Sequence, residues 1–158
     1  MTESLVALAI AAATLMGQPP DVFCRLVGEE SNWDEKAVSP SGAKGLCQIM
    51  PEPWRWHPED PFDPATNLGK GAWILAWNHN YRLERGVTGR EAMLQAVASY
   101  NLGHGKVNKL LRKHGDGWLK ALPERVRQYV EAVVGDYGLV DEAAEGAARG
   151  LETGRTNG

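Results

Sequence analysis

A mainly α-helical single domain is what the sequence predicts, and three observations carry the prediction. Apolar residues recur at helical spacing in several segments, N-cap or proline signals stand just before most of them, and no window shows convincing strand alternation. At 158 residues the chain is one domain by ordinary length and long enough to bury one core.

The elements follow in order. Residues 4–16, containing "LVALAIAAATLM", form a first helix. The run has the apolarity of a signal-peptide core, but Met1-Thr2-Glu3-Ser4 is acidic where such a signal needs Lys or Arg, and it is too short to span a membrane. It is read as a core helix retained in the mature protein, so no export signal and no stable membrane insertion are expected. Pro19-Pro20 breaks the chain, and Asp21 as N-cap starts a second helix to about Ser31. Asp63 as N-cap and Pro64 as first residue start a third to about Arg85, with Leu68, Trp73, Leu75, Trp77 and Tyr81 as its larger apolar residues. Gly86 ends it. Thr88 caps the next, which runs through Met93, Leu94 and Val97 to Tyr100. After "NLGHG", Lys106–His114 makes a short basic helix, and Pro123 opens another to about Tyr137. Residues 141–158, rich in Ala, Gly and Glu, read as a weakly helical or disordered tail, which leaves 1–140 as the domain.

Composition narrows the function classes. An apolar fraction of 43% and a charged fraction of 23% are those of a globular protein, and a net charge of −3 gives no sign of a nucleic-acid partner. Charge is uneven: His104 to Arg127 holds seven Lys or Arg against Asp116 and Glu124. A solvated helix face explains that basic run, with contact to an anionic partner as the alternative. Six tryptophans suit sugar rings, although core filling is their commoner use. Cys24 and Cys47 lack metal-ligand spacing and are expected as buried free thiols, with a disulfide as the alternative. The four histidines form no His-Glu-x-x-His arrangement, so neither metal nor cofactor is expected.

The chemistry points to "EESNWDEKAVSPSGAKGLCQIMP", Glu29 to Pro51. At roughly 100° per residue from Phe23, Glu30 falls near −20°, inside the stripe of Leu26 and Val27, while Glu29 falls near −120° beside Val22. Glu29 reads as a solvated partner for Arg25. A carboxylate aimed at a core is rare unless paired or working, and burial raises its pKa toward that of a general acid. A hydrogen-bonded structural Glu30 is the alternative on position alone.

This stretch closely resembles the soluble lytic transglycosylases, relatives of goose-type lysozyme. The resemblance rests on Glu30-Ser31, on Ser39-Pro40-Ser41-Gly42-Ala43-Lys44-Gly45-Leu46-Cys47-Gln48-Ile49-Met50-Pro51, and on "DPATNLGKGAWIL", "AVASYNLGHGKV" and "LPERVRQYV" in order. It implies a lysozyme-like domain of about six to eight helices, and a single Glu30 acid/base cleaving the β-1,4 bond between N-acetylmuramic acid and N-acetylglucosamine with closure of a 1,6-anhydro ring. It further implies that Ser39 bonds the N-acetyl region, that Gln48 holds the sugar by its amide, and that Met50 lines the cleft. Tyr100 would point its hydroxyl at the acid and the N-acetyl group, Asn101 would fix the turn or touch substrate, and Tyr129 would close the far wall. Simple packing explains Met50 and Tyr129 equally well. Ser31 is read as a helix-end hydrogen-bonder.

The chain departs from the family pattern after Met50-Pro51, where "EPWRWHPED" offers Trp54 and Trp56 as a stacking platform or as core cover. In the last motif Arg125-Val126 stand where the family has Glu-Thr, which leaves any contact from Glu124 open. The competing functions are a hydrolytic goose-type muramidase and a non-catalytic peptidoglycan-binding or virion structural protein. Expected partners are peptidoglycan glycan strands. A phage or prophage origin is favoured, with synthesis in the cytoplasm and delivery to the wall as a holin-released endolysin or as part of a virion, and a secretion machine as the alternative carrier.

Overall fold

The computed structural model of the protein describes residues 2–54 and 59–139. Seven α-helices appear among the described residues: α1 Glu3–Leu15, α2 Pro20–Ser31, α3 Pro51–Trp54, α4 Pro64–Leu83, α5 Gly89–Leu102, α6 His104–His114 and α7 Glu124–Val134. Strand pairing is limited there to isolated antiparallel bridges, Val38 with Lys44 and Lys44 with Ile49.

α5 is the central helix. Ala92 through Ser99 are buried without a break, so this helix has no solvent face over two turns and packs against α4, α6 and α7. The residue types permit it, being small or aliphatic apart from Gln95 and Ser99. α1 presents Leu5, Ala9 and Ala13, spaced by four, and packs on α2 and α4. Only this stripe of the apolar run from Leu5 enters the core, while Leu8, Ile10 and Leu15 stay exposed. Among the described residues, no helix is long and apolar enough to cross a membrane.

Two helix starts follow the cap reading and one corrects it. The Asp63 carboxylate accepts from Thr66 N at 2.9 Å, with Pro64 at the first helical position of α4. Thr88 stands at the N-cap of α5. α2, however, begins at Pro20 rather than after Asp21: Pro19 takes the cap position in extended conformation, and the fixed φ of Pro20 suits a first turn. Asp21 falls inside that turn and faces Arg25 at 3.5 Å. α6 starts at His104, so only Gly103 (φ 86) separates it from α5. α7 ends at Val134, because Gly135 (φ 56) takes a conformation that stops it before Tyr137. Cys47 is a buried free thiol, as expected, and Cys24 is a free but only half-buried one. The expectations for Trp56, for the side chain of Trp54 and for the tail 141–158 lie outside the described residues.

Candidate active site

Three elements converge on one carboxylate. Glu30 lies in the last turn of α2, half-buried on the side where Phe23, Leu26 and Val27 enter the core, while Glu29 is exposed. Asn32 ends the helix in left-handed conformation (φ 51), its N–H bonding Gly28 O, and this turns the chain away directly after Ser31. The Ser31 hydroxyl donates to Val27 O at 3.2 Å, a helix-end role.

α7 brings the partner. The Tyr129 hydroxyl donates to Glu30 Oε1 at 2.6 Å. Burial pushes the Glu30 carboxyl above its ordinary range, the Tyr129 hydrogen bond pulls it part of the way back, and the charge of Glu29 adds a smaller upward push. The Tyr129 hydroxyl is itself held well above its ordinary pKa, first by burial and then by the Glu30 charge, so it stays a donor. The two helices are tied by Arg25, which donates from Nε to Val133 O at 2.9 Å and from Nη2 to Val134 O at 3.0 Å. Carbonyls at the end of α7 and Asp21 thus take the place expected for Glu29 beside Arg25.

The loop after α2 supplies the opposite wall and is pinned from behind by Asn67 of α4. Its side chain accepts from Cys47 N at 2.7 Å and donates to Lys44 O and Pro61 O, each at 2.9 Å. A β-carbon on Gly45 (φ 76) would collide with that amide, so the loop needs glycine there. Gln48, held at φ 50, donates from Nε2 to Gly45 O at 3.0 Å and to Ala37 O at 3.2 Å. With its nitrogen so used, Gln48 has its amide oxygen left for a ligand. Ser39 Oγ accepts from Ala43 N at 3.0 Å and holds the loop's own turn.

Between these walls lies a cleft of about 720 Å³ lined by Glu30, Ser39, Gln48, Asn101 and Tyr129, with Glu29 also at its edge. Five of the seven residues expected at the site therefore meet in one cavity. Two do not. Tyr100 sits behind the cleft and donates to Cys47 O at 2.7 Å rather than to the acid; Tyr129 makes the contact expected of it. Met50 is 42% exposed and stands outside the lining. The cleft also holds Arg125, Gln128 and Ala132, which the sequence reading did not assign to it. Their signal was available: 125, 128, 129 and 132 follow helical spacing and form one stripe of α7. No group of His, Cys, Asp or Glu among the described residues is arranged to hold a metal ion.

The family model described as the transglycosylase SLT domain matches residues 7–121. The chain belongs to the transglycosylase SLT family. It is 33% identical over 88 residues to a membrane-bound lytic murein transglycosylase F 2 of Alkalilimnicola ehrlichii, a match covering 55% of this chain and 19% of that protein. Among solved structures it is similar to lytic transglycosylase Slt of Pseudomonas aeruginosa, described as an inactive mutant with glutamine in place of one glutamate (TM-score 0.66, 26% identity, 80% of this chain and 22% of that one). The 70-kDa soluble lytic transglycosylase of Escherichia coli gives a TM-score of 0.65 at 25% identity, over the same shares of the two chains. The SLT chain described here thus spans about a fifth of the length of these relatives. Its mainly helical, lysozyme-like fold is theirs.

Proposed function

We propose that the protein is a peptidoglycan lytic transglycosylase in which Glu30 is both acid and base. The observation that carries the reading is the half-buried Glu30 carboxyl, its pKa raised, held by Tyr129 at 2.6 Å in a cleft whose α2 and loop wall lies within the SLT match. Glycosidic cleavage by two carboxylates needs a second one across the bond. The other carboxylate lining this cleft is Glu29, exposed and adjacent to Glu30 on the same helix.

One carboxyl suffices for the transglycosylase route. Protonated Glu30 gives its proton to the bridging oxygen, the bond from that oxygen to the muramoyl C1 breaks, and N-acetylglucosamine leaves with a free hydroxyl. The N-acetyl oxygen of the muramoyl residue stabilises the cation. The Glu30 carboxylate then takes the proton of the C6 hydroxyl as its oxygen closes on C1, and the acid is regenerated with no water consumed. The Tyr129 hydrogen bond stabilises the carboxylate between the two steps. Ser39, Gln48 and Asn101 would meet the sugars, Gln48 through its amide oxygen. Peptidoglycan is the partner.

Mass spectrometry of digested peptidoglycan tests the proposal. Anhydromuramoyl ends, one water lighter than hydrated ones, are expected. Hydrated ends alone would assign a hydrolytic muramidase instead, and intact strands would leave a binding module.

A further inference from the structure

Among the described residues, one buried positive charge without a carboxylate partner lies away from this cleft. Arg82, on α4, is 2% exposed, yet its guanidinium meets only neutral acceptors: Asn108 Oδ1 at 2.6 Å, Ser99 Oγ at 2.9 Å and His104 O at 3.4 Å. Its Nε has no hydrogen-bond partner among the described residues, and neither has Gln95 Oε1, also buried. A buried cation is ordinarily paired with a carboxylate, because desolvation is otherwise uncompensated. Here the single ion pair among the described residues is Arg25 with Asp21.

Over Arg82 opens a cleft of about 420 Å³ between α4, α5 and α6. Arg85 and Arg112 stand on its rim, both exposed, with Asn108 and Gln95 in its wall and no Asp or Glu in its lining. Arg85 is held in place: its guanidinium lies 3.4 Å from the Tyr81 ring centroid, and Nη1 donates to Tyr81 O at 3.1 Å. The nearest acid on α5, Glu91, is occupied by Trp118 Nε1 at 2.6 Å and Gln95 Nε2 at 3.0 Å. Three cations around this concave surface focus positive potential into it, with Glu91 and Asp116 in the adjoining hollow past Val87, Gln95 and Leu111.

We propose that this cleft is a second binding site, taking the oxyanion of a carboxylate- or phosphate-bearing ligand between Arg85 and Arg112, with Arg82 as the fixed charge beneath. Planar guanidinium forks match both oxyanions, and both occur in bacterial cell walls, in peptide carboxylates and in phosphodiester polymers. No residue lines both this cleft and the one that holds Glu30, so the site neither needs the catalytic proposal nor falls with it.

The test is a titration of the whole chain, labelled with nitrogen-15, with inorganic phosphate and separately with glutarate, ionic strength being held constant with sodium chloride. Saturable shifts of the arginine Nε–H signals and of the Asn108 side-chain amide are expected with at least one probe. The tighter probe identifies the source of the oxyanion. Arg85→Ala/Arg112→Ala, at two exposed positions, should weaken binding by about tenfold or more. Lys109→Ala/Lys113→Ala, on the same helix but outside the lining, should leave it unchanged. Absence of saturation with both probes, a smaller loss in the arginine pair, or an equal loss in the lysine pair would overturn the site.

Discussion

Tyr129 and Glu30 are 99 residues apart in sequence and 2.6 Å apart in space, and the hydroxyl points its proton at the carboxylate. Burial and this hydrogen bond oppose each other at one group. Burial raises the Glu30 pKa and the bond lowers it, with burial the larger.

Removing the bond should therefore push the carboxyl higher still. Tyr129→Phe is expected to move the basic limb of the pH–activity profile upward, since the acid keeps its proton to higher pH. It should also slow turnover by roughly tenfold, because the carboxylate formed between the two steps loses its donor. Rates of peptidoglycan solubilisation across pH check both. An unshifted basic limb in a folded variant would show that Tyr129 only packs.

Glu30→Gln should lower activity by roughly 10²–10⁴-fold while keeping the shape and a Tyr129 contact. Its effect on stability has a definite sign. A carboxyl whose folded pKa is raised binds its proton more tightly when folded, so the native state loses stability as pH rises through that pKa. The uncharged amide escapes this loss. Scanning calorimetry should find the variant more stable than the parent at neutral pH, by a few degrees in Tm, with the gap closing in acid. Glu29→Gln, at an exposed position, should change neither quantity appreciably.

Arg25 fixes the distance between the helices that carry the pair. Arg25→Ala removes donors to Val133 O and Val134 O and should cost about 2 kcal/mol in urea unfolding. Activity should fall beyond what the stability loss explains, since the end of α7 is released from α2. A variant with reduced stability but full activity would show that α7 is placed by packing alone.

What the sequence disclosed about this site follows the range of the interactions involved. That Glu30 rather than Glu29 turns toward the core was legible because it depends on helical phase across one short segment, Phe23 to Glu30. The start of α4 at Asp63-Pro64 was legible for the same reason, a cap being made within three residues. Contacts that cross the fold were not. Tyr100 and Tyr129 are each plausible partners for an acid, and only the packing of α5 and α7 decides that the first reaches Cys47 O and the second reaches Glu30. Asn67 likewise showed as a motif residue without a task until the loop folded over it. Pro20 replaced Asp21 as the start of α2 because a rigid φ at the first helical position and a carboxylate in the first turn are both compatible with the same three residues.

The closest approach behind the cleft gives the last prediction. Gly71 of α4 faces Cys47 and Tyr100: a β-carbon there would overlap the Cys47 side chain and stand 3.3 Å from the Tyr100 hydroxyl. Gly71→Ala should therefore destabilise by about 1–3 kcal/mol, although alanine is the better helix former, because the fully buried Cys47 would have to shift to admit the methyl group. The same overlap should displace the Cys47 carbonyl that Tyr100 holds at 2.7 Å, and with it the loop that carries Gln48. Cys47→Ala removes the sulfur that collides but leaves the Cys47 β-carbon 2.6 Å from the added one. The double variant should then recover part of the loss, giving a coupling of about 1 kcal/mol in a double-mutant cycle by urea unfolding. Additive losses would mean that helix α4 shifts as a body to admit the methyl group, and that the wall behind Glu30 is less rigid than its packing implies.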